Sequence, residues 1–245
     1  MTSANAQGEP VLADEATLAE RLRGVYDAVL THNRDIYNPC DDSVVYETAG
    51  RIVPLRRARG YVPNAVKLPG SVPVMACGAQ QKNTFCLTRT DEAFLSQHIG
   101  DMAGLNSEKF FLAAYEKLKT LLGIEPEIFA RDPHPGYETH RLCQRLAAGR
   151  EIVEVQHHHA HIASVMAEHN LKGPVIGAAF DGTGLGPDGS IWGGEFLVCQ
   201  GGTFERAGAL EKTRLPGGDA AARAPWRAAL AWTGVEREIF DKIPE

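Results

Sequence analysis

The chain lacks the features that mark several classes of protein. It has no apolar run near the roughly 20 residues that a membrane-spanning helix needs, so no membrane partner is expected. Met1 is followed by polar residues rather than by the apolar core of a signal peptide. Its five cysteines include no CxxC pair, which argues against a zinc ribbon or a dense disulfide framework. Together these absences predict a soluble protein of the reducing cytoplasm.

The net charge and the composition exclude further classes of protein. A net charge of −6 gives no general attraction for nucleic acid, so no nucleic-acid partner is expected. Hydrophobic residues make up 44% of the chain and charged residues 23%, which is typical of a globular protein rather than a disordered one. The sequence has no internal repeat and no low-complexity tract, and its 245 residues suffice for one large domain or two smaller ones.

A segment rich in proline and glycine divides the chain. We predict a linker over residues 64–73, between one domain over 1–63 and another over 74–245. Before the linker, apolar residues spaced by four predict a helix over 15–30. After it, apolar runs and helix caps alternate, which predicts an α/β fold with a largely buried central sheet.

The predicted elements after the linker can be bounded from these signals. Ser107 is a suitable N-cap for a helix that ends at Leu122, before Gly123. Further helices are predicted over 137–148 and 157–170. Strands are predicted over 72–77, 84–88, 127–130, 152–155, 175–180 and 191–199.

Four imidazoles lie within five residues, at His157, His158, His159 and His161. On a helix, His157 and His161 are one turn apart and face the same way, so both rings can reach one metal ion; His158 with His161 is the alternative pair. Lone histidines are usually structural or solvated, but four together favour a metal site. Two imidazoles leave such a site incomplete, so a carboxylate is expected. Asp181 is one candidate and a ligand from elsewhere is an equal alternative, with zinc or iron as the metal.

A glycine-rich segment, Asp-Gly-Thr-Gly-Leu-Gly at 181–186, follows the strand predicted over 175–180. A β-hairpin would account for it, because Asp-Gly pairs form tight turns. An acid at a strand end, followed by a small hydroxyl and free amides, is also typical of a phosphate site. A second segment of similar pattern runs from Ala76 to Thr84. The pair resembles the two phosphate-binding hairpins of an actin-like ATPase.

Several motifs together resemble the HypF family, the carbamoyltransferases of nickel-iron hydrogenase maturation. They are Val-Gln-His-His-His-Ala-His at 155–161, Asp-Gly-Thr-Gly at 181–184, Trp-Gly-Gly-Glu at 192–195, Ser-Gln-His-Ile-Gly-Asp at 96–101 and Arg-Arg-Ala-Arg-Gly-Tyr-Val-Pro at 56–63. Thr-Ser-Ala-Asn at 2–5 is similar to a late motif of the family's YrdC-like domain. The resemblance therefore implies the C-terminal part of a YrdC-like α/β domain over 1–63. It implies the N-terminal half of an actin-like ATPase (ASKHA, Kae-type) domain over 74–245.

The resemblance also implies the chemistry. In the family, carbamoyl phosphate supplies carbamate, ATP converts it to carbamoyl-adenylate, and the carbamoyl group passes to the C-terminal cysteine of HypE. Metal ligation is implied for His157, His161 and Asp181, with Asp181 also catalytic. Nucleotide or phosphate contacts are implied for Asn83, Thr84, Gly182, Thr183 and Gly184. An adenylate pocket is implied for Thr2, Ser3, Asn5, Ser43 and Arg57.

Two other interpretations stay open at this point. An O-carbamoyltransferase of small-molecule biosynthesis has the same tandem layout, although the motifs at 56–63 and 96–101 favour the hydrogenase branch. The chain could also be a non-catalytic remnant or one half of a split protein, because it begins inside a motif. In that case a complementing chain would be required, and the isolated fragment is expected to be inactive.

Overall fold

The computed structural model describes residues 4–6 and 8–233, which divide into two compact units. The first unit contains the chain up to Gln156 together with Ala167–Asn170. The second contains His157–Met166 and the chain from Leu171 onward. The predicted α/β class is confirmed, because both units combine helices with β-sheets.

The first unit begins with one short helix and a hairpin. Helix α1 (Glu15–Arg21) begins where the Asp14 carboxylate accepts a hydrogen bond of 2.7 Å from the Thr17 amide. The helix predicted over 15–30 is wrong beyond Arg21. Gly24 has a φ of +82° and Leu30 is fully exposed, so the apolar stripe has no packing to extend a helix that is marginal alone. Strands β1 (Val44–Thr48) and β2 (Arg51–Arg56) then pair antiparallel.

A six-stranded mixed sheet organises the rest of the first unit. Its strands, in chain order, are β3 (Val66–Lys67), β4 (Val74–Ala76), β5 (Cys86–Arg89), β6 (Glu92–Leu95), β7 (Ile128–Arg131) and β8 (Glu151–Glu154). The spatial order is β3-β6-β5-β4-β7-β8, with β4, β7 and β8 parallel and the remaining pairs antiparallel. Residues 64–73, predicted as a linker, therefore contribute β3 to the sheet edge.

Two helices accompany this sheet. Helix α2 (Leu105–Leu122) begins after Gly104 rather than at Ser107, which is buried inside it, and ends at Gly123 in the left-handed conformation, as predicted. Helix α3 (Glu138–Ala147) agrees with its prediction to within one residue at each end. The core is aromatic and aliphatic, and its fully buried side chains include Met75, Phe85, Leu87, Phe111 and Phe129.

The second unit consists of a helix against a three-stranded antiparallel sheet. Its elements are α4 (His157–Glu168), β9 (Val175–Leu185), β10 (Ile191–Gln200), β11 (Thr203–Ala209), α5 (Asp219–Arg223) and α6 (Trp226–Thr233), and the strand order is β11-β10-β9. Ile162 and Met166 of α4 pack with Ala179, Leu197 and Cys199 of the sheet. Gly177 permits this approach, because a Cβ there would lie 2.4 Å from the Ile162 side chain.

Strand β9 is longer than the predicted 175–180. It continues through Asp181 to Leu185, and Gly184 pairs with Trp192 across the hairpin. The glycine-rich segment is therefore the end of a β-hairpin, one of the two structures its sequence allowed. None of the described helices is long and apolar enough to cross a bilayer.

The five cysteines are all free thiols in the structure. Burial raises the pKa of Cys86 to about 11 from its ordinary 9.0. At pH 8 the thiolate fraction of Cys86, and hence its alkylation rate, should be about 100-fold below that of an ordinary thiol. Iodoacetamide labelling of the folded chain, followed by peptide mass spectrometry, measures this rate. The same peptide in unfolded chain is the control, and equal rates in both states would contradict the prediction.

Candidate metal and phosphate site

Three imidazoles of α4 converge on one carboxylate of β9. His157 Nε2 lies 2.8 Å from Asp181 Oδ2, and His161 Nε2 lies 3.2 Å from the same oxygen. The other oxygen, Asp181 Oδ1, lies 2.7 Å from His158 Nε2. The predicted helical turn therefore does place His157 and His161 together, and Asp181 is beside both.

The three rings differ in burial, which separates their roles. The His158 side chain is fully buried, whereas 16% of the His157 side chain and 54% of the His161 side chain are exposed. The Asp181 side chain is 21% exposed. One edge of the cluster is therefore open to a ligand at His161, while His158 holds the carboxylate from the buried side.

The charges in the cluster are set by these contacts. Burial raises the pKa of Asp181, but hydrogen bonds from His157 and His161 outweigh it, so the pKa lies well below its ordinary 3.8. Burial lowers the pKa of His158 more than Asp181 raises it. At neutral pH the cluster therefore combines a neutral buried His158 with an ionised Asp181 carboxylate, the state in which a carboxylate binds a metal ion.

The donor set fits a divalent metal ion. One ligand atom from each of His157, His161 and Asp181 lies within 4.8 Å of the others. Two imidazoles and one carboxylate can hold zinc with a position left for substrate, and the same set is a common site for ferrous iron. His157, His161 and Asp181 therefore suit both metals predicted from the sequence, zinc and iron.

Two positions of the hairpin require glycine, because a side chain there would collide with the rings of the site. A Cβ at Gly184 would lie 2.7 Å from His158 Cε1 and 3.0 Å from His157 Cβ. A Cβ at Gly186 would lie 2.1 Å from Trp192 Nε1. Gly182 and Gly189, with φ values of +83° and +73°, are needed instead for their backbone conformation. Gly184 and Gly186 are required because the His158 imidazole and the Trp192 indole pack directly against the hairpin backbone at these positions.

The predicted phosphate turn of the first unit has a different internal structure. Asn83 is buried, and its Nδ2 donates to the carbonyls of Cys77 at 2.9 Å and Ala79 at 2.6 Å. Both amide hydrogens are thus committed to the turn, which leaves none for a phosphate oxygen. Thr84 is half-buried, and its carbonyl oxygen would lie 2.3 Å from a Cβ at Gly78. In this structure Asn83 shapes the turn.

The structure describes three of the five residues predicted for an adenylate pocket, Asn5, Ser43 and Arg57. Thr2 and Ser3 lie outside the described residues. Ser43 Oγ accepts from the Ala58 amide at 2.9 Å and donates to the Arg59 carbonyl at 2.8 Å, so it joins two backbone segments. Arg57 donates to the Asn64 carbonyl at 2.8 Å.

Asn5, in contrast, lines a polar cavity of about 300 Å³ in the first unit. Sequence reasoning missed the six charged or titratable residues of its wall, which are Glu9, Asp41, Arg56, Lys82, His98 and Asp101. Burial, and next the Arg56 guanidinium, lower the pKa of His98. The specific motif at 96–101 was the signal that could have directed attention to this wall.

Comparison with known proteins now identifies the family. Residues 70–168 match the family described as HypF Kae1-like domain, and residues 177–241 match that described as Carbamoyltransferase, Kae1-like Domain, second subdomain. Residues 1–58 match the YrdC-type family described as Telomere recombination. Carbamoyltransferase HypF2 of Cupriavidus necator is 49% identical over 253 residues, which cover 100% of this chain and 31% of the relative. Carbamoyltransferase HypF of Rhizobium leguminosarum bv. viciae is 46% identical, covering 94% of this chain and 30% of the relative.

Solved structures support the same family assignment. A crystal structure of full-length HypF in the phosphate- and nucleotide-bound form superposes with a TM-score of 0.88 at 43% identity, covering 94% of this chain and 37% of that one. The crystal structure of T. kodakarensis HypF superposes with a TM-score of 0.87 at 39% identity, covering 94% of this chain and 30% of that one. The chain belongs to the HypF family.

This HypF chain spans about a third of the length of the curated relatives it matches. Those relatives are named carbamoyltransferases. The predicted combination of YrdC-like and Kae-type folds is confirmed by the matched families. The three histidines of the converging cluster lie within the first Kae1-like match, and Asp181 lies within the second.

Because Gly184 lies so close to His158, adding one methyl group at Gly184 tests the packing of the site. Gly184→Ala forces His158 or His157 to move, so we expect the metal affinity of this HypF chain to fall about tenfold, as when a supporting contact of a ligand is lost. Competition with a chromogenic chelator measures it. Gly208→Ala, in β11, is the matched control because a Cβ there meets nothing within 4 Å. Equal affinities in the two variants would contradict the assigned packing.

Proposed function

We propose that this chain is the part of a HypF carbamoyltransferase that receives carbamoyl-adenylate and delivers its carbamoyl group to a cysteine. The acceptor is the C-terminal cysteine of a HypE-type protein in nickel-iron hydrogenase maturation. The observation that carries the proposal is the convergence of three imidazole Nε2 atoms on Asp181, in a chain whose relatives are named carbamoyltransferases.

The side chains of the cluster have separate tasks under this proposal. His157, His161 and Asp181 hold one zinc or iron ion, and His158 fixes the second carboxylate oxygen from the buried side. When bound, such an ion supplies a positive charge that polarises a carbonyl and holds a phosphate. The low pKa of Asp181 keeps it ionised at neutral pH, so it does not compete for the proton of the attacking thiol.

The hairpin supplies the phosphate contacts. Gly182 and Thr183 are exposed beside Asp181, where an amide and a hydroxyl can donate to phosphate oxygens. The Gly184 amide belongs to the same proposed contact. In the transfer, the acceptor sulfur bonds to the carbamoyl carbon and the bond from that carbon to the adenylate oxygen breaks. AMP carries away the negative charge and the thiol proton passes to solvent or to a base.

The cavity of the first unit is proposed to belong to the adenylate-forming end of the reaction. It contains Asn5 of the Thr-Ser-Ala-Asn motif and the cations Arg56 and Lys82. Carbamoyl phosphate and ATP are the proposed substrates there, and the first phosphate turn, with Asn83 and Thr84, borders it at Lys82. The domain division at 64–73 and a cytoplasmic location remain part of the proposal.

The test places this chain in the context of a complete relative. The matching third of Cupriavidus necator HypF2 is replaced by these 245 residues, and the chimera receives labelled carbamoyl phosphate, ATP and a HypE-type acceptor. We expect label on the acceptor's terminal cysteine and none on an acceptor ending in serine. Purified chimera that binds metal but transfers no label, or that labels a small-molecule hydroxyl instead, would overturn the proposal.

A further inference from the structure

An ion pair with a buried carboxylate lies next to the metal cluster and is not explained by it. Glu195 of β10 is 1% exposed. Its carboxylate accepts from Arg206 Nε at 2.6 Å, from Arg206 Nη2 at 2.9 Å and from the Gly193 amide at 3.1 Å. The Arg206 side chain is 29% exposed, and a largely buried pair of this kind adds little stability over apolar residues of similar volume. A reason for the pair has to be sought in what it positions.

Arg206 contacts an aromatic ring as well as the carboxylate. Its guanidinium carbon lies 4.2 Å from the centroid of Trp192, the distance of a cation–π contact. At the edge of the indole, Trp192 Nε1 donates to Asp188 Oδ1 at 3.0 Å. The indole is therefore held by a charge over its face and by a hydrogen bond at its edge, and it is 4% exposed.

The held indole packs on the buried imidazole of the cluster. The ring centroids of Trp192 and His158 are 6.2 Å apart. Both rings occupy space that only glycine leaves open, at Gly186 for the indole and Gly184 for the imidazole. His158 in turn contacts Asp181 at 2.7 Å. A continuous series of contacts thus runs from Glu195 through Arg206, Trp192 and His158 to the proposed metal ligand.

We infer that Glu195 and Arg206 are positioning residues that hold Trp192 against His158 and thereby fix the Asp181 carboxylate for the metal ion. This inference rests on the proposed metal site. The fork of a guanidinium suits the task, because it can bond a carboxylate with two nitrogens while its plane stacks on a ring. Lysine in the same place keeps the charge but provides neither the second bond nor the stacked plane.

Arg206→Lys and Arg206→Met in the full chain test the inference. Supporting residues of metal ligands typically contribute 10–100-fold to affinity. We therefore expect the Co²⁺ dissociation constant of each variant to rise by about tenfold or more, with a changed visible spectrum of the bound Co²⁺. Trp192→Phe combined with Arg206→Met should lose little more than either change alone, because both act through one contact.

A matched control separates positioning from general stability. Arg131 also forms a two-nitrogen ion pair, with Glu154 at 2.8 Å and 3.2 Å, in the first unit. Arg131→Met should leave Co²⁺ affinity and spectrum unchanged even if its urea midpoint falls as far as that of Arg206→Met. A second readout needs no metal: the imidazole NMR signals of His158 in metal-free chain should shift in the Arg206 variants and not in the control.

The outcomes are distinct. Folded Arg206 variants with unaltered Co²⁺ affinity and unaltered His158 signals would overturn the inference while leaving the proposed function intact. An unaltered chain that binds no Co²⁺ would overturn the proposed metal site, and the inference with it. If the methionine variant does not fold, the lysine variant and the Trp192→Phe single variant decide the matter by the same measurements.

Discussion

Alanine at both His157 and His161 is expected to abolish metal binding by the chain. The double change removes two of the three proposed ligands and leaves Asp181 with His158 alone. Losing only a supporting residue typically costs 10–100-fold in affinity, so losing two ligands should exceed about 100-fold. Metal content after dialysis, measured by mass spectrometry for zinc and iron, should fall from about one ion per chain to background.

The change in stability should be small beside this loss. His161 is more than half exposed and His157 keeps part of its surface in solvent, so neither side chain fills a core position. We expect the free energy of unfolding of metal-free chain to change by less than about 2 kcal/mol. His169→Ala is the control, an exposed histidine just beyond the same helix. Equal metal content in the double variant and the control would remove the assigned role of this turn.

The imidazole pair was predictable because helical spacing alone determines it. Residues four apart lie on one helix face, so the sequence predicted that His157 and His161 would point together before any tertiary structure was known. Asp181 could be named only as one of two alternatives, because its approach depends on how β9 packs against α4. The structure places it within 3.2 Å of both rings.

Contacts that depend on packing could not be predicted from local pattern. His158 was predicted only as the alternative partner of His161 for a metal ion, since nothing in its spacing shows that it is buried or that Trp192 lies against it. The pairing of Glu195 with Arg206 joins β10 to β11, and β11 was not predicted at all. Its alternating pattern contains alanine, glycine and charged residues, without the β-branched run that predicts a strand.

The errors in the predicted helices and strands have similar causes. The apolar stripe over 15–30 has the correct period for a helix, but only α1 forms, because helix length depends on a surface to pack against. The strand after Ala178 continues into the glycine-rich segment because β10 supplies its hydrogen bonds. Helix α2, by contrast, ends where its own sequence requires it, at a glycine with positive φ.

The first phosphate turn offers the largest expected effect on stability from a single methyl group. Gly78 has a φ of +70°, and a Cβ there would lie 2.3 Å from the Thr84 carbonyl oxygen and 2.8 Å from Asn83 Nδ2. Neither neighbour can move cheaply. The carbonyl belongs to the backbone, and the Asn83 amide is bonded to two carbonyls of the turn itself. We therefore expect Gly78→Ala to destabilise the first unit by about 3 kcal/mol or more.

Gly70→Ala isolates the steric part of this effect. Gly70 has nearly the same φ, +74°, but a Cβ there meets nothing within 4 Å. Both variants carry the cost of about 1–2 kcal/mol for a left-handed alanine, so any excess in Gly78→Ala measures the collision alone. Urea unfolding followed by hydrogen exchange of β4 and β5 would give both values. Similar losses in the two variants would show that the turn relaxes around the methyl group, and that Asn83 does not hold it as closely as its two hydrogen bonds indicate.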